Sequence, residues 1–171
     1  NTTANSELKR QFLAKEIKER LIAVIDDSPS GKVYRLPRKD EIAIVNSIDA
    51  PVDPVPEMLA VGNTKQFDLC PWGYTTVGDM FTRRQHLLLS TLIEKLAELK
   101  AEFDPDADDY ARALFTYLGI LIDRIAIANT AFGVWHTSRE TLERPMGRQA
   151  IAMVFDYPES NPFCDSTGSA F

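Results

Sequence analysis

Two long stretches of helical periodicity occupy the middle of the chain and restrict what it can fold into. In residues 81–103, leucines recur at the spacing of one helix face, at Leu88, Leu92, Leu96 and Leu99. Thr82 and Gln85 precede that run at the spacing of a capping box, which predicts where the helix begins. Residues 106–132 are apolar on nearly all sides and predict a second long helix, buried at the centre of the fold.

Asp123 and Arg124 interrupt the apolar run of this second helix. Because a charge inside a protein is costly without a partner, each is expected to pair with a group elsewhere in the chain. A structural ion pair is the preferred interpretation, ahead of a functional role.

Weaker patterns flank the two helices. An amphipathic run over residues 6–27 predicts a helix that ends at the Ser-Pro-Ser-Gly sequence of 28–31. Residues 32–37 predict a short extended piece, and residues 38–48 predict a short helix. Between residues 50 and 74, four prolines and two glycines predict an extended connector, since proline fixes φ and removes amide donors.

These patterns predict a mainly α fold, a helical domain with long central helices, a Pro-rich extended connector and little or no sheet. A single helical domain over the whole chain is expected, with an N-terminal helical segment (1–49) and the Pro-rich connector (50–77). The core helices (78–132) and an Arg-rich loop with the Asn-Pro-Phe segment (133–171) follow. The chain starts without methionine and is interpreted as an internal fragment of a longer protein.

Composition limits the classes of partner. The 19 basic and 25 acidic residues give a net charge of −6, so any contact with DNA must use a local basic patch. The two cysteines, Cys70 and Cys164, belong to no C-x-x-C or Cys/His cluster, which predicts free thiols and no metal site. With no membrane-length apolar run and no secretory signal, a cytoplasmic protein that makes no membrane contact is expected.

Arginines at the start of the first long helix are candidates for nucleic-acid contact. Arg83 and Arg84 place positive charge at a helix N-terminus, where the helix dipole opposes it. Another group must offset this unfavourable placement of charge, and the alternatives are a phosphate, a base edge and Asp79.

A second candidate group lies in the Arg-rich loop. His136, Arg139 and Arg148 stand close to Trp135, a combination suited to phosphate contact and base stacking. The alternative is a loop whose arginines pair with nearby acids, and this is the preferred interpretation on local sequence alone.

Asn161-Pro162-Phe163 stands one proline short of the N-P-P-F/Y signature of enzymes that methylate amino groups of flipped-out DNA bases. In that signature the Asn oxygen accepts a hydrogen bond from the base and the aromatic ring stacks on it. Without the second proline an ordinary Asn-Pro turn is preferred, and Asn161 and Phe163 are secondary candidates for a base pocket.

Several motifs, taken in order, resemble those of the large bacterial and archaeal adenine-specific DNA methylases. That family carries an N-terminal conserved domain of unknown function and a zinc-ribbon-like region. The motifs are G-D-M-F-T-R-R-Q at 78–85, an apolar helix containing Asp-Arg, W-H-T-S-R at 135–139, G-R-Q-A at 147–150 and N-P-F-C-D-S-T-G at 161–168. The resemblance runs from about Ala23 to the end of the chain.

The resemblance implies a division of labour within a larger enzyme. In the family, the loop that binds S-adenosylmethionine lies upstream of this region and the catalytic Asp-Pro-Pro-Tyr lies downstream. The chain is therefore expected to hold no catalytic residue and no cofactor, while the parent uses S-adenosylmethionine to methylate DNA adenine, in modification or phage defence.

The same resemblance suggests the role of the region. Its place between donor loop and catalytic motif is where related enzymes carry DNA target recognition, so DNA binding is the leading hypothesis, with DNA and the rest of the parent methyltransferase as partners. The alternative is a structural or dimerisation insert that braces the methyltransferase domain without DNA contact, with a homodimer as one form.

Overall fold

The computed structural model describes residues 2–49, 55, 59, 69–103, 108–143, 145 and 151–164. Within these residues the helices are α1 (Thr2–Leu13), α2 (Lys39–Ser47), α3 (Arg83–Glu102) and α4 (Asp109–Ala128). The strands are β1 (Val24–Ser28), β2 (Gly31–Arg35), β3 (Val134–His136) and β4 (Thr141–Glu143). β1 pairs with β2 and β3 pairs with β4, and each pair forms an antiparallel hairpin.

The two long predicted helices are confirmed as α3 and α4. The Thr82 hydroxyl accepts a hydrogen bond from the Gln85 amide at 3.2 Å, and the Gln85 side chain accepts one from the Thr82 amide at 2.9 Å. This is the capping box that the sequence predicts. The rings of Phe103 and Phe115 meet edge to face at 6.1 Å, so the end of α3 lies beside the first half of α4 and the pair is antiparallel.

The predicted first helix is too long. α1 ends at Leu13, followed by Lys15 at φ 55°, and the chain then enters a hairpin in place of helix. Ser28 lies opposite Gly31 across the turn, and the Ser28 hydroxyl donates to the Gly31 carbonyl at 2.6 Å. Gly31 has φ 116°, a conformation that a side chain would strain. The predicted extended piece and short helix that follow are confirmed as β2 and α2.

The predicted fold class, mainly α with little or no sheet, is wrong. The described residues form a mixed α/β structure that is largely helical, with two small two-stranded sheets. β3 and β4 are only three residues long, too short for strand alternation to be visible in the sequence. The two hairpins also touch, since the rings of Tyr34 and Trp135 meet edge to face at 6.3 Å.

The prediction that the second helix is central and buried is also wrong. Ala111, Ile125 and Ala128 are its buried residues, whereas other apolar side chains on α4 face solvent. Asp123 and Arg124 are both exposed, and neither makes an ion pair within the described part of the chain. Water solvates these charges, so the expected pairing is not required.

The core lies beyond the C-terminal end of α4. It contains Leu59, Leu69, Met80, Phe132 and Ile151. The Ala131 amide donates to the Met80 carbonyl at 2.9 Å, which ties the segment after α4 to the turn before α3. Phe132 also meets the ring of Tyr74 edge to face at 5.0 Å.

Most of the predicted connector lies outside the described residues, namely 50–54, 56–58 and 60–68. The described part from residue 69 onward contains a short 3₁₀ turn, Cys70–Trp72, which ends at Gly73 with φ 90°. Trp72 packs edge to face on Phe12 of α1, with ring centroids 5.4 Å apart. This contact attaches the N-terminal helix to the core region.

Replacing one aromatic ring in the core tests this packing. Phe132 is 2% exposed, so Phe132→Ala removes a buried ring and leaves a cavity. We expect a loss of about 3–5 kcal/mol in the free energy of unfolding, measured by urea denaturation. Phe163, which is 68% exposed, is the matched control, and Phe163→Ala is expected to change that free energy by less than about 0.5 kcal/mol. Equal effects of the two variants would contradict the placement of the core.

Candidate nucleic-acid interface

The two arginines that begin α3 have different environments. Arg83 is exposed, with 63% of its side chain accessible, and it forms an ion pair with Asp49, whose side chain is 82% accessible. Such a pair on the surface contributes little to stability and separates readily. Arg84 is only 20% accessible and is bound from several sides.

Glu159 binds Arg84 through both of its carboxylate oxygens. Arg84 Nε donates to Oε2 at 3.1 Å and Nη2 donates to Oε1 at 3.0 Å. This two-pronged geometry is the strongest form of an arginine–carboxylate pair because both groups are planar and their bonds run parallel. The Thr82 hydroxyl donates to the same carboxylate at 3.2 Å, so the start of α3 holds Glu159 through a neutral group as well.

Glu19 and Tyr157 complete the environment of Arg84. Arg84 Nη1 donates to Glu19 at 3.1 Å, and Nη2 donates to the Tyr157 hydroxyl at 3.3 Å. Partial burial alone would lower the pKa of Arg84, but the bonds and charge of Glu159 raise it overall. Burial, followed by the charge of Glu19, raises the pKa of the Tyr157 phenol. Arg84 therefore keeps its charge within an internal network.

Asn129, at the end of α4, provides a second anchor for the same segment. Its side-chain oxygen accepts a hydrogen bond from the Ser160 amide at 2.9 Å, and its amide nitrogen donates to the Ser160 hydroxyl at 3.1 Å. The same nitrogen donates to the Ile125 carbonyl at 3.2 Å. Asn129 is 1% exposed, so these bonds satisfy a buried polar group. Residues 157–160 are thus fixed to both long helices.

The Asn-Pro-Phe segment follows directly from these anchors. The Asn161 side-chain oxygen accepts a hydrogen bond from the Phe163 amide at 3.0 Å, which is the geometry of an Asx turn. Pro162 is buried, whereas Asn161 is exposed and Phe163 is 68% exposed. The turn therefore presents an aromatic ring to solvent from a fixed base.

The third group of candidates lies on the hairpin of β3 and β4. The Arg139 amide donates to the His136 carbonyl at 3.2 Å within the turn, and His136 Nδ1 lies 3.2 Å from the Ser138 hydroxyl. The Arg139 side chain is exposed and has no ion-pair partner among the residues that the structure describes. Arg148 lies outside the described residues.

Acidic and aromatic groups beside this turn bind one another. Glu140 accepts a hydrogen bond from the Tyr34 hydroxyl at 3.1 Å, and the Trp135 indole donates to that hydroxyl at 3.2 Å. Glu140 is thus engaged by Tyr34, and no ion pair joins it to Arg139 in the described part of the chain.

Asp79, one predicted compensator of the helix-start arginines, has other partners. Its Oδ2 accepts hydrogen bonds from the amides of Thr75 and Thr76, each at 2.8 Å. Burial on its own raises the pKa of Asp79, but these amides outweigh that effect and lower it overall. The partners of the arginines are instead Asp49, Glu159 and Glu19.

The predicted arginine and histidine candidates among the described residues therefore divide into two groups. Arg83 and Arg84 begin α3, whereas His136 and Arg139 occupy the second hairpin, and within the described ranges no hydrogen bond or ion pair joins the groups. Sequence reasoning missed Glu159 and Asn129. Charge opposed to the helix dipole did signal that Arg84 needs a partner, but nothing in the local sequence indicates one 75 residues away.

Among the described residues, no three His, Cys, Asp or Glu side chains come together as a metal site would require. None of the described helices is both long and apolar enough to span a bilayer. Comparison with known proteins found no match to a protein-family model, to a curated protein or to a solved structure.

The unequal environments of the adjacent arginines give a matched test. Arg84→Ala leaves Glu159 and Glu19 close together without their cation, so we expect it to lower the free energy of unfolding by about 2–3 kcal/mol. Arg83→Ala, the control, removes only a surface pair and should change it by less than about 1 kcal/mol. Urea denaturation measures both, and equal effects would contradict the network.

Acid should act on the turn before α3 through Asp79. Its pKa is lowered in the folded chain, so its contribution to stability is complete above the ordinary carboxyl value of about 4 and is lost as pH falls through the lowered value. Urea denaturation between about pH 7 and pH 2 should therefore show a smaller acid-induced loss in Asp79→Asn than in the wild type. Asp123→Asn, which removes an exposed carboxylate outside that turn, is the control, and an equally reduced loss in both variants would contradict the role given to Asp79.

Proposed function

We propose that the chain is a non-catalytic region of an adenine-specific DNA methyltransferase and acts there as a structural insert. The observation that carries this choice is the internal binding of Arg84 by Glu159 and Glu19. A guanidinium already held by two carboxylates has to break those bonds before it can hold a phosphate. In this proposal the α3 start serves to fix residues 157–164 against the helices.

The methyltransferase context comes from the ordered motifs of the sequence, and the first of them binds the segment that leads into the last. The motif at 78–85 supplies Thr82 and Arg84, and the segment that leads to Asn161 supplies their partner Glu159. We propose that S-adenosylmethionine and the catalytic motif belong to other parts of the parent enzyme, a cytoplasmic protein. The junction then sets the position of the Asn-Pro-Phe segment relative to them.

A second candidate function is DNA contact through the β3–β4 turn and the Asn-Pro-Phe segment. It is favoured by the exposure of Arg139, whose side chain forms no ion pair in the described part of the chain, and of the Phe163 ring. An arginine would hold a phosphate and an exposed ring would stack on a base. Arg83 would join them only by leaving Asp49.

A DNA titration separates the two functions. For a structural insert, fluorescence anisotropy with a labelled duplex of about 20 base pairs in about 50 mM salt should show no binding up to about 100 µM protein. Salt-dependent binding that Arg139→Ala weakens at least about fivefold would establish the DNA candidate and contradict the structural one. Glu140→Gln, a neighbouring change that retains the arginine, is the control for hairpin integrity.

Limited proteolysis tests the structural role directly. If Arg84 fixes residues 157–164, Arg84→Ala should make cleavage in that segment at least about tenfold faster under native conditions, because the segment opens more often. Arg83→Ala should leave the cleavage rate unchanged. Mass spectrometry locates the first cut, and a first cut elsewhere in both variants would contradict the proposed role.

A further inference from the structure

Residues 9–19 form a strap that the rest of the chain holds at its two ends. At one end, the centroid of the Phe12 ring lies 5.4–6.5 Å from those of three other aromatic rings, which belong to Trp72, Phe155 and Tyr74. At the other end, Glu19 accepts a hydrogen bond from Arg84 at 3.1 Å. Residues 13–18 between these ends are all exposed, so the strap is held by few contacts.

The turn inside the strap is fixed by its own bonds. The Lys15 amide donates to the Phe12 carbonyl at 3.0 Å, and the Glu16 amide donates to the Gln11 carbonyl at 3.0 Å, which is the pattern of a Schellman motif. Arg10 also pairs with Glu16 at 3.1 Å. Because these bonds join α1 to the turn after it, the two should move together. Lys15 has φ 55° at the position of this motif that favours glycine, so its side chain makes the closed turn less stable.

The core does not depend on the strap. Among the described residues, no strap residue is buried, and none belongs to the core cluster or to the side chains packed against it. α1 is 12 residues long, and a helix of that length is marginal in water without tertiary contacts. The Lys9 ammonium lies 5.0 Å from the centroid of the Trp72 ring, which adds one cation–π contact to those of Phe12. Release of these contacts would therefore unwind α1 and leave the core folded.

The C-terminal segment contacts the strap and its partner at alternate positions. The rings of Phe155 and Phe12 meet with centroids 5.9 Å apart. Burial raises the pKa of the Tyr157 phenol, and the charge of Glu19 and a hydrogen bond between the two side chains add to this effect. Glu159 binds the same guanidinium as Glu19. Each end of the strap therefore lies beside the segment that leads to the Asn-Pro-Phe turn.

We propose that the strap is a reversible latch on residues 155–159. When it is closed, Phe12 supports Phe155 and Glu19 stays bound beside Tyr157, so the Asn-Pro-Phe turn keeps its position. When it opens, α1 unwinds, both contacts are lost and the turn becomes mobile. The latch thus regulates the structural role proposed above, on which this inference rests. The coupling is reciprocal, so a partner that holds the turn in place would also keep α1 closed.

Two readouts on the 171-residue chain test the latch. Amide hydrogen exchange followed by NMR reports the opening of α1, and chymotrypsin cleavage after Tyr157 reports the mobility of the C-terminal segment. In the wild type, the α1 amides should exchange at least about tenfold faster than the Ala131 amide, which is bonded within the core region. Phe12→Ala should speed both the exchange of α1 and the cleavage at least about fivefold. Lys18→Ala, an exposed change within the strap, is the control and should alter either rate less than about twofold.

Lys15→Gly tests the latch in the opposite direction. Glycine adopts φ 55° without strain, so the closed strap becomes more stable and both rates should fall about threefold. Glu19→Gln weakens the other end of the strap and should raise both rates at least about twofold. Urea denaturation confirms that the core of each variant remains folded.

Separate responses of the two readouts would overturn the latch. If Phe12→Ala speeds the exchange of α1 but leaves cleavage after Tyr157 unchanged, the strap does not control the segment. An α1 that exchanges no faster than the Ala131 amide would also overturn the proposal, since the strap would then open only with the core. Arg84→Ala decides the structural role separately. Acceleration of the cleavage by Arg84→Ala, but not by Phe12→Ala, would leave that role intact and remove the latch alone.

Discussion

The two-pronged bond between Arg84 and Glu159 connects the beginning of α3 with a segment 75 residues later. A guanidinium at a helix N-terminus is unfavourable by itself because the helix dipole is positive there. A carboxylate bound beside the guanidinium offsets this repulsion. Because Thr82 also donates to this carboxylate, the residue that caps α3 helps to hold the loop. The start of the helix and the path of the C-terminal segment are therefore determined together.

The bond between Arg84 and Glu159 also fixes the position of the Asn-Pro-Phe turn, which begins two residues after Glu159. Glu159 fixes the segment from the α3 side, and Asn129 fixes Ser160 from the end of α4. Two anchors on adjacent residues leave the chain little freedom before Asn161, and the exposed Phe163 ring stands beyond them. A ring held this way is already ordered, so a group that stacks on it would cost little conformational entropy.

The helices could be predicted from the sequence where their signals are local. The capping box of Thr82 and Gln85 and the leucine spacing of α3 depend on residues within one or two turns. The pairing of strands into hairpins could not, because β1 lies largely within a run of helical periodicity and β3 and β4 are only three residues long. The burial of α4 was predicted wrongly, since apolar residues on all sides of a helix do not reveal which of its faces stays exposed. For the candidate site, the need of Arg84 for a counter-charge was predictable, whereas its identity as Glu159 was not.

A double-mutant cycle between Arg84 and Glu159 tests the central claim most directly. The free energy of unfolding would be measured by urea denaturation for the wild type, Arg84→Met, Glu159→Gln and the double variant. If the two side chains form the structural bond described, their coupling energy should be about 1–3 kcal/mol, with the double variant more stable than the sum of the single effects implies. A coupling energy below about 0.3 kcal/mol would contradict the account, because Arg84 would then be free for another ligand.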